Sequence, residues 1–159
     1  MIDFSNFHII IDTREQHPWI FEHMEKSVSK LDTGDYSLKG LEHLFCIERK
    51  GSVSEFANNI TEKRFKDVVD RMSKIPHSFL LLEFSLDDVL QYPVGSNVPK
   101  KMWDKLKISP KFILKHLIEL QILYNIKTVF CGDPSNAEKM AISIMRKIYE
   151  YHGQPKTNI

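Results

Sequence analysis

Residues 34–50 constrain this chain more tightly than any other stretch. They read Gly34-Asp35-Tyr36-Ser37-Leu38, a polar turn, then Phe45-Cys46-Ile47-Glu48-Arg49-Lys50. Both flanks hold β-branched, aromatic and leucine residues, and Lys39-Gly40-Leu41-Glu42 supplies turn chemistry, so an antiparallel hairpin is expected. A turn centred on residues 40–42 leaves Asp35 and Glu48 equally far from it, which sets two carboxylates across from each other on neighbouring strands. Alternation puts Glu48 and Lys50 on one face and Arg49 on the other. Two facing acids repel, and a structural hairpin gains little from them. A divalent cation with a water nucleophile beside it uses both acids and the lysine.

The 159 residues, 42% hydrophobic and 27% charged, suit one domain able to bury a proper core, and residues 1–159 are read as a single domain. Lys and Arg number 22 against 21 Asp and Glu, a net charge of +1, so any nucleic-acid signal has to be local. One such signal exists: Lys100, Lys101, Lys105, Lys107, Lys111 and Lys115 face only Asp104 in this part of the chain. Cys46 and Cys131 each fall in a strand-like apolar run with no CxxC, which fits free thiols in a reducing compartment. The seven histidines, His8, His17, His23, His43, His77, His116 and His152, show no ligand spacing and are assigned no chemistry. The N-terminus lacks the basic and apolar regions of a signal peptide, and no apolar run reaches the roughly 18 residues of a membrane span. The chain is therefore expected to be soluble and intracellular.

In chain order, residues 7–11 form a continuous apolar run typical of a strand buried on both faces, ending abruptly in Asp12-Thr13-Arg14-Glu15. Residues 19–26 read equally as a short helix or an irregular segment, and residues 27–31 as a strand. Ser52-Val53-Ser54-Glu55 matches a capping box, and a second helix is expected over residues 61–73. Residues 78–84 read as a central strand. Residues 85–107 show no period and are expected to be a long functional loop, basic over about residues 92–108. Ser109-Pro110 opens a helix through Tyr124, a strand follows over residues 126–131, and Asp133-Pro134 opens a last helix to about Gly153. Its apolar stripe, Ala137, Met140, Ala141, Ile144, Met145 and Ile148, serves a core or a subunit interface. The sum is an α/β mixed sheet with helices packed on it.

Ile11-Asp12-Thr13-Arg14-Glu15, then Gly34-Asp35-Tyr36, then Ile47-Glu48-Arg49-Lys50 resembles the nuclease domain of the xeroderma pigmentosum group F (XPF) family of structure-specific endonucleases. Ala57-Asn58-Asn59-Ile60 with Arg64-Phe65, the strand Leu80-Leu81-Leu82-Glu83 and the last two helices extend the likeness over nearly the whole chain. The resemblance implies a restriction-endonuclease-like fold and a Mg2+- or Mn2+-dependent hydrolase that cuts phosphodiester bonds in branched, flapped or single-stranded DNA. By that resemblance Asp12, Asp35 and Glu48 hold the metal and Glu15 assists. Lys50 positions the attacking water or stabilises the phosphate, while Arg49 and Arg14 brace the carboxylates or contact phosphate. Lys100, Lys101, Trp103 and Lys105 join Arg14, Lys63 and Arg64 as candidate DNA contacts, lysines interleaved with an aromatic being suited to tracking a backbone. Lys63 and Arg64 sit on a helix of mixed charge, most of which a solvated face explains. A homodimer through the C-terminal helices is implied, and short stand-alone forms are typical of phage and prokaryotes.

The family signature carries an aspartate where this chain has Ser54, with Glu55 next to it. Two readings follow: Glu55 replaces that acid, or the site works with fewer carboxylates; by its place in the capping-box pattern Glu55 suits a helix cap before a ligand. The resemblance also leaves open an inactive form that keeps the fold as a DNA-binding or dimerisation module.

Overall fold

In the computed structural model, which describes residues 1–153, the hairpin at residues 34–50 forms the middle of a six-stranded sheet. The strands are β1 (Ile9–Asp12), β2 (Lys26–Ser29), β3 (Tyr36–Leu38), β4 (Phe45–Lys50), β5 (His77–Leu82) and β6 (Ile126–Phe130), in the order β2-β1-β3-β4-β5-β6. The β1/β3 and β3/β4 pairs are antiparallel, and β1/β2, β4/β5 and β5/β6 are parallel. The helices are α1 (Val53–Asn59), α2 (Lys63–Met72), α3 (Leu86–Leu90), α4 (Pro110–Leu123) and α5 (Pro134–His152), with a 3-10 helix at Lys100–Lys105.

Strand alternation sorts the core into two layers. Ile9, Ile11, Tyr36, Phe45, Ile47 and Leu81 point toward α5, where Ala137, Ala141, Met145 and Ile148 meet them. Met140, expected in that stripe, is 39% exposed and falls outside it. Cys46, Leu80 and Leu82 point the other way, against Phe56 of α1, Phe65 and Val69 of α2, and Ile113 and Leu117 of α4. Both faces of the central strands are covered, which is why they read as continuous apolar runs.

Three segments add to or differ from the sequence expectation. Residues 19–25 are irregular, with Phe21 and His23 at positive φ (50° and 61°), and Glu138 Oε1 pins the segment by accepting from Phe21 N at 2.8 Å. They feed β2, which lies parallel to β1 and not as a hairpin partner. The loop after β5 holds a five-residue helix, α3, closed by a capping box in which Ser85 Oγ accepts from Asp88 N and Asp88 accepts from Ser85 N. The Ser-x-x-Asp signal is there in the sequence, but the helix is too short to show a period. Among the described residues no helix is long and apolar enough to cross a membrane.

Candidate active site

Gly34 sets the entry to the site. Its φ of +84° suits glycine, and a Cβ there would lie 2.8 Å from the Cβ of Cys46, so no other residue lets the chain turn into β3 this close to β4. Tyr36 pairs with Ile47, and the same register carried one residue further sets Asp35 opposite Glu48, as the hairpin symmetry predicts. On the other side Asp12 N donates to Asp35 O at 2.9 Å. Asp12, at the end of β1, Asp35, just before β3, and Glu48, within β4, therefore stand in one row across three adjacent strands.

Their environments differ. Glu48 is 8% exposed. Arg49 N donates to Asp35 Oδ2 at 2.8 Å, which holds that carboxylate against β4. Burial, then the charge of Glu48 and a hydrogen bond with it, push the Asp35 carboxyl well above the usual carboxylate range; the Arg49 amide and the Lys50 charge only partly offset this. Asp12 is 2% exposed, and burial pushes its carboxyl up too. Hydrogen bonds from Arg14 and Leu31 outweigh that push and hold it below its ordinary value. Its Oδ2 accepts from Arg14 Nε at 2.7 Å and its Oδ1 from Leu31 N at 2.8 Å.

Lys50 lies on the Glu48 face, with Nζ 3.7 Å from Glu55 Oε1 and 5.2 Å from the Phe65 ring centroid. Ser52 caps α1, its Oγ accepting from Glu55 N at 3.1 Å, while the Glu55 carboxylate accepts from Gly51 N at 3.2 Å instead of closing a full box on Ser52. It reaches the same hollow of about 230 Å³ that Asp12, Asp35, Glu48 and Lys50 line. Arg14, Arg64 and Arg71 line it as well. Sequence reasoning misses Arg71, which reads there as one more charge on a mixed helix.

Arg49 and Glu15 touch the hollow's edge but are anchored on the opposite face of β4. Arg49 Nε donates to Glu83 Oε1 at 2.9 Å and Nη1 to His17 O at 2.6 Å, with the guanidinium 4.8 Å from the Trp19 ring centroid. Trp19 Nε1 donates to the other oxygen of Glu83 at 3.0 Å, and Tyr36 Oη donates to Glu15 Oε2 at 2.7 Å. Burial, then the charge of Asp35, raises the Glu15 carboxyl, with Tyr36 and Arg49 opposing. Glu83 is thus a site-supporting residue that reads in the sequence as the tail of an apolar strand.

The remaining candidates sit elsewhere. Lys63 begins α2 in solvent. Lys100, Lys101, Trp103 and Lys105 lie on the 3-10 helix and do not line the hollow; Trp103 Nε1 donates to Val98 O at 3.0 Å, bracing its own loop. Residues 94–97 of that loop, with Gly51, Ser52 and Ser54, line a second hollow of about 180 Å³. Among the described residues no group of three or more His, Cys, Asp or Glu side chains stands in metal-holding geometry. Asp12 is engaged by Arg14 and Leu31, and Asp35 and Glu48 interact directly with each other.

Comparison with known proteins bears on this arrangement. The ERCC4 domain family matches residues 11–142. A solved structure of XPF from Aeropyrum pernix is similar at 19% identity with a TM-score of 0.64, covering 90% of this chain and 69% of that one. XPF from Aeropyrum pernix in complex with DNA is similar at 18% identity with a TM-score of 0.66, covering 94% and 68%. At such identity the likeness to the solved structures is one of fold, and it carries the restriction-endonuclease-like architecture. No curated protein matches the chain.

Proposed function

This chain belongs to the ERCC4 domain family, and on that premise we propose that it is an endonuclease using Mg2+ or Mn2+ to hydrolyse phosphodiester bonds in branched, flapped or single-stranded DNA. The observation that carries the proposal is the Asp35–Glu48 pair beside Lys50. Burial and the charge of Glu48 make it costly to ionise both carboxylates at once. A protein keeps such a cost where a cation relieves it.

The donor set fits a hard cation: carboxylate oxygens converge, and Mg2+ is commonly held by one or two carboxylates with phosphate and water completing its shell. Asp35 and Glu48 would hold it, and Asp12 would join them once Arg14, whose side chain is 58% exposed, swings from Asp12 to a DNA phosphate. Bound there, the cation would activate water and neutralise charge on the phosphate. Lys50 stands on the same face to orient the attacking water or to stabilise the oxygen where charge builds. Arg14, Arg64 and Arg71 rim the hollow and supply phosphate contacts. The lysines at 100, 101 and 105 would take DNA further out. A DNA substrate is supported by the DNA complex of the Aeropyrum pernix protein. A homodimer is supported by α4, where Ile122 is 75% and Leu123 68% exposed.

Ser54 and the engagement of Asp12 favour one rival, a module that binds DNA without cutting it. Purified protein incubated with branched, flapped and single-stranded DNA and Mg2+ or Mn2+ separates the two. Metal-dependent cleavage lost in Asp35→Ala and Glu48→Ala is expected. Binding without cleavage selects the rival, and equal cleavage by parent and variants removes the catalytic assignment.

A further inference from the structure

The seven histidines look scattered in sequence, yet the fold brings two of them nose to nose. His77 opens β5 and His152 closes α5, 75 residues later, and their Nε2 atoms lie 3.0 Å apart. The rings are tilted by 54° with centroids 5.0 Å apart, farther apart than the two Nε2 atoms, so the nitrogens face each other. Both residues are half-buried. His77 is fixed by its main chain, whose N–H donates to Leu44 O at 2.9 Å, and the Tyr151 ring packs edge-on against His152, centroids 4.9 Å apart.

We propose that His77 and His152 form a site for a nitrogen-preferring transition cation of the Ni2+, Cu2+ or Zn2+ class, tying the start of β5 to the end of α5. Two metal–nitrogen bonds of about 2.1 Å at a right angle place the nitrogens about 3.0 Å apart, and a tetrahedral angle asks for about 3.4 Å. The observed spacing meets the first and reaches the second by a small ring rotation. Imidazole nitrogen selects these cations over Mg2+. Both rings would bind neutral, with the proton on Nδ1 and water filling the other positions. Burial, then His152 and the nearby Lys127 ammonium, lower the pKa of His77, which favours its neutral form. The C-terminus of the 19-residue α5 adds a favourable dipole, while Lys127, held by Pro76 O at 3.4 Å and set over the Phe79 ring, opposes the cation. The pair stands at the start of β5, the end of the strand away from Leu82, whereas the acid row lies beside Lys50, the register partner of Leu82. The proposal is independent of the nuclease reading.

The test uses the untagged, metal-stripped chain carrying Glu48→Gln, which weakens the acid site as a competing ligand. Melting is followed with added Ni2+, Zn2+ or Mg2+. A rise of about 3–6 °C is expected at a Ni2+ concentration about tenfold above Kd. It is absent with Mg2+ and lost in His77→Gln and in His152→Gln. With Cu2+, electron paramagnetic resonance should show two imidazole nitrogens, falling to one in either variant. An unchanged shift in the variants, or no shift in the parent, overturns the site. Should His77→Gln fail to fold, His152→Gln at the last helical residue decides alone.

Discussion

The two faces of β4 carry opposite electrostatic states. On one, burial and the charge of Glu48 disfavour an ionised Asp35, with Lys50, Arg14 and one main-chain N–H set against them. On the other, Arg49 is matched group for group by Glu83, the His17 carbonyl, Glu15 and the Trp19 ring. Adjacent residues of one triplet thus do different work. The compensated face holds the strand ends in place, and the uncompensated face stores the repulsion that a cation and a phosphate would relieve. Such pairings of a frustrated patch with a satisfied support are expected where a site is built for chemistry.

The largest effect expected is on cleavage. Glu48→Ala should cut the single-turnover rate on a flapped duplex by about 10³-fold or more, about 4 kcal/mol of barrier, with the melting temperature held or raised. Glu83→Ala should show the reverse pattern. It leaves Arg49, whose side chain is only 17% exposed, without its main partner, and should cost about 3–5 kcal/mol of stability in urea unfolding, activity falling only as the folded fraction falls. If the two variants shifted rate and stability alike, the division between faces would not hold.

The pH dependence sharpens the same contrast. Asp35 has a folded pKa raised above its unfolded value of about 3.8. Protonated, it favours the fold; as pH climbs from the unfolded value through the raised one, the folded state has to give up a proton it binds more tightly, and stability falls. Metal-free melts should show this decline at rising pH, Asp35→Asn should flatten it with a gain on the order of 1 kcal/mol at neutral pH, and Mg2+ should offset it in the parent. Asp12, held low, contributes the opposite slope, stability present above its unfolded pKa and lost as pH falls through the folded one. The smallest effect should come from outside both faces. Lys100→Glu with Lys101→Glu should weaken DNA binding and lower the slope of log K against log salt by about 0.9 for each phosphate no longer neutralised, leaving cleavage of bound DNA intact. An unchanged slope would remove the 3-10 helix from the DNA path.

Much of this molecule is legible in its sequence. The 34–50 hairpin places its flanks at equal distances from a turn at residues 40–42, so the meeting of Asp35 with Glu48 follows from counting, and the split of Arg49 from Lys50 from strand alternation. What cannot be counted is long-range. Glu83 reads as the end of an apolar strand because its partners, Trp19 and Arg49, are 64 and 34 residues away. Asp12 can be placed at a strand end, but not its commitment to Leu31 N, which depends on β2 running parallel beside β1. The lysine cluster is visible as composition, whereas its distance from the hollow depends on where α3 and the 3-10 helix turn the chain. His77 and His152 share no local pattern at all.

The central claim is that Asp35 and Glu48 are kept together to hold a divalent cation. Titration with Mn2+, following the free-ion signal by electron paramagnetic resonance, addresses it directly in the parent and in the Asp35→Asn, Glu48→Gln double variant, with melting curves verifying that both are folded. Saturable Mn2+ binding by the parent and its loss in the folded double variant is the expected result. Undiminished binding in that variant, or none in the parent, would contradict the claim.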